Sequence, residues 1–273
     1  MAIDTHTALY CVLGNPVSHS LSPVMHNRAF AHTGYSGVYL AFKVTDIAAA
    51  VTGIKALGIK GASITIPHKV AIMEFLDDID EKATRIGAVN TIVNKDGRLY
   101  GYNTDWTGAM DALLEKTDIK DKDVVMIGAG GAARAIGSGI VSEGGKLTIL
   151  NILEDEGELL AKDLEVNYYP LSYFNKVDCQ ILINATPVGM TPNTEDMPVN
   201  RQSLKEGMVV MDIVYNPLKT RLLKEAENIG CVTIDGVAMF VYQGAAQFEM
   251  WTGQKAPVDL MRQVVLKTLQ NTT

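Results

Sequence analysis

Cysteine is scarce in this chain of 273 residues, and basic residues are outnumbered. Cys11, Cys179 and Cys231 lie far apart and form no CxxC pair, so a disulfide framework is not expected. Apolar neighbours, as in Tyr10-Cys11-Val12, predict buried strand thiols in a reducing cytoplasm. Lys and Arg total 24 against 31 Asp and Glu, a formal net charge of -7. Duplex nucleic acid and anionic membranes both require a basic face, so neither is an expected partner and a small molecule is. Long apolar runs are also missing. The longest, Val124 to Val141, is broken by Arg134 and several glycines, which excludes a membrane span there. Met1 to Thr7 carry an acid and no basic stretch, so no secretory signal is expected. The five histidines, His6, His19, His26, His32 and His68, form no HExxH and no His/Cys cluster at ligand spacing, and no catalytic metal is expected. His26 and His32 read as surface or packing residues of a helix. No repeat of 20 to 50 residues is visible.

What the chain does have is an ordinary globular composition, 47% hydrophobic and 20% charged, with enough length for two modest domains or one large one. Short apolar runs alternate with helical patterns throughout, the rhythm of an α/β protein with parallel strands and crossover helices. Strands are expected at Leu9 to Leu13, Val38 to Lys43, Ala62 to Ile66, Val89 to Asn94, Val124 to Ile127, Leu147 to Leu150, Ile181 to Asn184, Val209 to Ile213 and Val232 to Ile234. Ser22-Pro23 reads as an N-cap and first helical residue, with Gly34 as the stop; Thr45 and Gly58 repeat that grammar. Asp96-Gly97 predicts a hairpin turn that interrupts the parallel order. Asp77-Asp78-Ile79-Asp80-Glu81 reads as a solvated helix start. Met190, Met208, Met211 and Met239 are expected in the core or lining a cleft. A helix from about Asp105 to Lys116 leads into a fresh strand, which sets three segments: 1–105, 106–236, and a helical tail, 237–273, that crosses back.

The second segment opens with a chemical signature. Val124 to Ile127 runs into Gly128-Ala129-Gly130-Gly131-Ala132-Ala133, a strand, a GxGxxA loop and a helix. In a dinucleotide fold the first glycine (Gly128) makes the tight turn and the second (Gly130) lets the backbone approach a pyrophosphate. The small third residue (Ala133) lets helix and strand pack closely, while the helix N-terminus faces the negative charge. The first segment places polar residues after its strands: Ser20 and Ser22, then Thr65 and Lys69, then Asn90, then Asn103-Thr104-Asp105. Open α/β sheets bind ligands at such strand ends.

HSLSP, TIPHK, GAVNT, NTD, GAGGAAR, NATPVGM, DIVYNP and YQGAAQ occur in this order across residues 14–247, and with them the chain resembles the shikimate dehydrogenase family. The resemblance implies a two-domain α/β protein, an N-terminal substrate domain with a mostly parallel sheet and a Rossmann domain. It also implies a cleft between them and reversible reduction of 3-dehydroshikimate to shikimate with a nicotinamide cofactor. By the same resemblance Ser20 and Ser22 hold the substrate carboxylate, while Thr65, Asn90, Asp105 and Gln243 bind the ring hydroxyls with Tyr215 nearby. Lys69 is then the acid/base residue, paired with Asp105, and the cofactor side comprises Gly128, Ala129, Gly130, Gly131, Ala132, Asn151, Thr186, Ile213 and Gly236.

The residue types suit that chemistry, since ketone reduction needs a proton at the developing alkoxide and a positioned ammonium supplies one while stabilising the charge. Asp105 as base is the weaker option, because an ordinary aspartate is a poor proton acceptor near neutral pH. The chain departs from its family at one point. After the second Rossmann strand, relatives that use NADP typically carry an asparagine, arginine, threonine run, whereas here the segment reads Asn151-Ile152-Leu153-Glu154-Asp155-Glu156. Glu154 and Asp155 stand near the roughly 20-residue distance at which an acid accepts from a ribose hydroxyl. NAD in preference to NADP is therefore the expectation. Three functions compete: a shikimate dehydrogenase, a homologue using quinate, and an idle dinucleotide-binding regulator. Ser22, where quinate enzymes often carry threonine, and retention of both Lys69 and Asp105 favour the first. A monomer or homodimer in the cytoplasm is expected.

Overall fold

A computed structural model describes residues 3–271, so the first two residues of the Met1–Thr7 stretch and the last two of the helical tail lie outside the described residues. The chain forms two compact units, Met1–Thr104 with Gln243–Thr273, and Asp105–Tyr242.

In the first unit β1 (Ala8–Gly14), α1 (Ser22–Thr33), β2 (Gly37–Lys43), α2 (Ile47–Ala56) and β3 (Gly61–Ile64) make two steps of strand and helix between parallel strands. They are followed by β4 (Asp78–Ile79), α3 (Glu81–Ile86), β5 (Thr91–Lys95) and β6 (Arg98–Tyr102). The sheet order is β2-β1-β3-β5-β6-β4. β1 is parallel to β2 and β3, but β5 runs antiparallel to both β3 and β6. The cause is the expected hairpin: Asp96 and Gly97 both take positive φ, 53° and 88°, as a tight two-residue turn requires. Cys11, Leu13, Ala62, Ile64 and Ile92 send their side chains into an apolar layer with Val51, Ile54 and Ile72. On the other face Tyr10, Phe30, Tyr39, Phe248 and Trp251 form an aromatic layer, with Tyr10 and Trp251 ring centres 5.2 Å apart.

In the second unit α4 (Asp105–Leu114) leads to β7 (Asp123–Ile127), α5 (Gly131–Ser142), β8 (Lys146–Asn151), α6 (Glu154–Leu164), β9 (Asn167–Pro170) and β10 (Ile181–Asn184). Then come β11 (Val209–Asp212), α7 (Arg221–Ile229), β12 (Val232–Ile234) and α8 (Gly236–Thr252), which ends in the first unit. α9 (Val258–Gln270) packs on α1. The sheet order is β12-β11-β10-β7-β8-β9, all parallel. Counted from β7, that is the doubly wound order of a Rossmann fold. Period-two alternation divides β7 between two cores: Val124 and Met126 join one layer with Ile136 and Ile140, while Val125 and Ile127 join the other with Leu222 and Leu223.

Several local expectations are corrected. Ser22 does not cap α1; it is the first helical residue, buried, with its hydroxyl against Tyr39, and Leu21 precedes it without a side-chain cap. Asp46, not Thr45, caps α2 by accepting from Ala49 N at 3.0 Å, because its carboxylate sits one position closer to the free N–H groups. The acidic run is divided: Asp78–Ile79 pairs with β6 as β4, Asp77 bonds Lys55 and Leu99 N, and only Asp80 caps a helix. β9 was not expected at all. Strands β3, β5 and β11 are shorter than their apolar runs, which continue into loops. Only Cys11 is a buried strand thiol; Cys179 and Cys231 precede strands and are partly exposed, although all three are free. His26 is fully buried, and Met190 is exposed.

Candidate active site

The mixed sheet of the first unit brings the polar loops to one edge. β1 and β3 end there, and because β5 is antiparallel with Ser63 opposite Thr91, Asn90 enters β5 at the same edge. Thr91 lies opposite Tyr102, so β6 also ends there and delivers Asn103 and Thr104. Gly14 permits this convergence: a Cβ on it would stand 2.3 Å from Thr65 Cγ2. Asn15 N donates to Ile66 O at 2.9 Å, tying the Ser20 loop to the Lys69 loop.

Within the first loop Ser20 Oγ accepts from Ser22 N at 3.3 Å. Ser20, Thr65 and Lys69 are half-buried; Ser22, Asn90 and Gln243 are buried. The Lys69 backbone is held from two sides. Its carbonyl accepts from Val89 N at 2.8 Å, and the preceding His68 is buried with Nε2 2.9 Å from Val44 O. Asn90 is held on every side: Nδ2 donates to Thr104 Oγ1 at 3.0 Å, Oδ1 accepts from Thr104 N at 2.8 Å and Thr91 Oγ1 at 2.7 Å, its backbone N donates to Tyr102 O at 3.0 Å and its carbonyl accepts from Ile64 N at 2.7 Å. Asn103 Nδ2 donates to Ala88 O at 2.9 Å, closing the loop from which Asp105 starts α4. Ser20, Ser22, Thr65, Lys69, Asn90 and Gln243 thus belong to the first unit. Asp105, buried at the head of α4, and Tyr215, whose ring lies 4.8 Å from Phe240, belong to the second.

In the second unit the glycine loop lies where the strand order reverses, between β7 and β10. Gly128 has φ 115°, and a Cβ there would lie 2.9 Å from Ala185 O. Both the turn and the approach of the NATPVGM loop demand glycine. Gly130 is different. Its φ of -75° suits any residue, and a Cβ on it would meet nothing within 4 Å. The backbone at Gly130 is therefore bare on the side where α5 begins, and the N–H groups of Gly131 and Ala132 in its first turn offer donors to an anion. Ala129 and Ala133 are buried in the apolar layer. These features fit a dinucleotide pyrophosphate.

Asn151 ends β8 and donates from Nδ2 to Leu153 O at 2.9 Å. Glu154, Asp155 and Glu156 form the exposed first turn of α6, with Ile152 73% exposed before them. The Thr186 hydroxyl is engaged locally, donating to Asn184 Oδ1 at 2.6 Å and accepting from Val188 N at 3.2 Å. Gly236 starts α8 directly against Ile213, whose carbonyl oxygen would lie 2.4 Å from a Cβ. Beneath these loops is a hub that sequence reasoning missed. Asp212, fully buried, accepts from Thr220 Oγ1 at 2.7 Å, Asn184 Nδ2 at 3.0 Å and Val214 N at 3.0 Å. Burial pushes its carboxyl up to about 6, with those three donors opposing. Asn184 and Asp212 are opposite in register, so the hub ties the NATPVGM loop to the DIVYNP loop. Among the described residues no group of three or more His, Cys, Asp or Glu could hold a metal, and no helix is long and apolar enough to cross a membrane.

Comparison with known proteins agrees with this fold. Residues 12–92 match the shikimate dehydrogenase substrate binding domain, and residues 236–266 match the shikimate 5'-dehydrogenase C-terminal domain. The chain is 46% identical over 272 residues to shikimate dehydrogenase (NADP(+)) of Bacillus mycoides, covering 96% of this chain and 98% of that one. A crystal structure of a shikimate dehydrogenase in complex with NADP+ superposes with a TM-score of 0.94 at 42% identity, covering 98% of each chain. The Listeria monocytogenes shikimate 5-dehydrogenase solved with shikimate and NAD gives 0.88 at 38% identity, covering 97% of this chain and 98% of that one. Sharing 46% of its residues over nearly its whole length with such a relative, and carrying both family segments around a Rossmann sheet, this chain belongs to the shikimate dehydrogenase family.

Proposed function

We propose that the chain catalyses the reversible reduction of 3-dehydroshikimate to shikimate with a nicotinamide dinucleotide. The observation that carries this reading is a glycine turn at the strand-order reversal, closed at Gly128 and open at Gly130, in a chain whose other unit gathers two serines, a threonine, a lysine and an asparagine at one sheet edge. Bound at the glycine turn, the dinucleotide supplies the hydride. The Ser20 and Ser22 hydroxyls hold the substrate carboxylate, and Thr65, Asn90 and Gln243 bind its ring hydroxyls. Lys69 gives its ammonium proton to the alkoxide oxygen as the carbonyl is reduced and recovers one in the reverse direction, with Asp105 as the other member of the acid/base pair. The pinning of the Lys69 carbonyl by Val89 supports this, since a proton donor acts only when it is held in place.

NAD is the preferred cofactor in this reading. Support comes from the uncharged, exposed Ile152, the acidic first turn of α6, and the pairing of Arg134 with Asp163 described below. Glu154 or Asp155 then accepts from the ribose hydroxyl. Free thiols at Cys11, Cys179 and Cys231 suit a reducing compartment such as the cytoplasm.

Spectrophotometry with shikimate or quinate and either cofactor tests the reaction, and the Lys69→Ala variant tests the acid/base role. Its kcat is expected to fall about 10²- to 10⁴-fold with dinucleotide binding retained. Turnover within a few-fold of the parent would defeat the assignment of Lys69, and no turnover of shikimate by the parent would defeat the reaction.

A further inference from the structure

We infer that Gln247, which is not among the residues assigned above to substrate or cofactor, is a positioning residue that makes Asn90 a pure N–H donor toward the substrate. The inference rests on the proposed role of Asn90 as a substrate ligand.

Gln247 is buried on α8 one helical turn after Gln243. Its amide spans Ser63 and Thr91, the directly opposed pair that joins β3 to β5. Tyr39 O–H donates to Ser63 Oγ at 2.6 Å, and Ser63 O–H donates to Gln247 Oε1 at 2.7 Å. From the other end of the amide, Gln247 Nε2 donates to Thr91 Oγ1 at 2.9 Å and to Asn90 O at 3.4 Å. Thr91 O–H then donates to Asn90 Oδ1 at 2.7 Å.

Each hydroxyl has one proton, so the chain has a direction. Ser63 spends its proton on Gln247 and accepts from Tyr39; Thr91 accepts from Gln247, and its proton goes to Asn90 Oδ1 at 2.7 Å, nearer than Thr104 Oγ1 at 3.2 Å, which already accepts from Asn90 Nδ2. With Thr104 N as the second donor at 2.8 Å, and the Thr104 hydroxyl a longer third at 3.2 Å, both lone pairs of Asn90 Oδ1 are occupied, and one of its two Nδ2 protons goes to Thr104 Oγ1. One N–H proton is left for a ligand, so Asn90 recognises a hydroxyl through its oxygen and not through its proton. Thr91 has a competing acceptor, Thr104 Oγ1 at 3.2 Å. The Gln247 amide, locked by Ser63, keeps a donor on Thr91 Oγ1 and so steadies the Thr91 hydroxyl with its proton toward Asn90 Oδ1. All members of the chain are buried, so water does not substitute for a missing donor.

The test is a double-mutant cycle read in KM for shikimate, kcat, dinucleotide Kd and melting temperature. Gln247→Met, similar in length but apolar, is expected to raise KM about tenfold with kcat and dinucleotide Kd within about twofold. In an Asn90→Ala background the same substitution is expected to change KM by less than about twofold, because its effect passes through Asn90. Thr91→Val removes the same link from the other side and should reproduce the KM rise. An unchanged KM in Gln247→Met, or an equal rise in both backgrounds, overturns the inference while leaving Asn90 as a ligand. An Asn90→Ala variant with unaltered KM removes that reading of Asn90, and the inference with it. If neither Gln247→Met nor Thr91→Val folds, the network is a requirement of the fold and the inference is wrong.

Discussion

Arg134 Nη1 lies 3.0 Å from Asp163 Oδ2, so the only basic residue of the helix after the glycine loop is already paired with a carboxylate of α6. This bears on the cofactor, because Arg134 is the cation nearest in sequence to the glycine turn. With Ile152 where NADP-using relatives carry arginine, kcat/KM is expected to favour NAD over NADP by about tenfold or more. Ile152→Arg, at a side chain with little packing to lose, should raise kcat/KM for NADP by at least about tenfold. A parent enzyme that prefers NADP tenfold would show that another cation reaches the phosphate.

Gly130 separates binding from folding. Alanine there meets open space at an ordinary φ, so stability should change by less than about 1 kcal/mol. The added methyl group occupies the open face proposed for the pyrophosphate, and dinucleotide Kd should rise at least about tenfold by fluorescence titration. Unaltered Kd would place the phosphates elsewhere.

Ser20→Ala should raise KM for shikimate about tenfold or more, since hydrogen bonds to charged groups contribute about 1.5 to 3 kcal/mol. Because Ser20 also accepts from Ser22 N, a modest loss of stability of about 0.5 to 1.5 kcal/mol should accompany it. A large drop in melting temperature with KM unchanged would make Ser20 a structural residue only.

His26 makes stability depend on pH. Its ring stacks on Tyr39 at 4.6 Å, neither nitrogen has a partner at hydrogen-bonding geometry, and burial lowers it from 6.5 to about 3, a Gln247 contact opposing only in part. The Gln247 amide is committed to Ser63, Thr91 and Asn90, which leaves the imidazole neutral and unpartnered. Between about pH 6.5 and 3 the unfolded chain binds a proton that the folded chain refuses, so stability falls with falling pH, by at most about 1.4 kcal/mol per unit from this group. Asp212, raised to about 6, has the opposite sign: its neutral form is favoured by the fold, and that contribution is lost as pH rises through 6. Comparing His26→Leu with the parent cancels Asp212. The variant's melting temperature should decline less steeply on acidification, and parallel declines would show that His26 does not titrate on unfolding.

Features that depend on a few consecutive residues were legible without coordinates. The GxGxxA turn follows from which side chains a strand-to-helix corner tolerates, and Gly128 at φ 115° has that corner's geometry. Asp96-Gly97 is another, since two adjacent positive φ values restrict the residues at both positions. Alternating apolar runs located most strands, because burial on both faces needs them. The same reasoning misjudged Ser22 and Thr45, where neighbours compete for one capping role and only the folded backbone shows which oxygen reaches the free N–H groups.

The sequence by itself determined the class of the protein, the glycine turn between strand and helix and the polar loops that stand together at one sheet edge, since each is written in local residue choice and in period. Tertiary structure alone decided which polar groups satisfy one another. Ser63 and Gln247 are 184 positions apart, and Asn184 and Asp212 are 28 apart, yet each pair is buried and bonded. No pattern of period 2 or 3.6 relates such residues. They meet because strand order and helix placement bring them together, and they stay because a buried polar group without its partner costs about 1 to 3 kcal/mol.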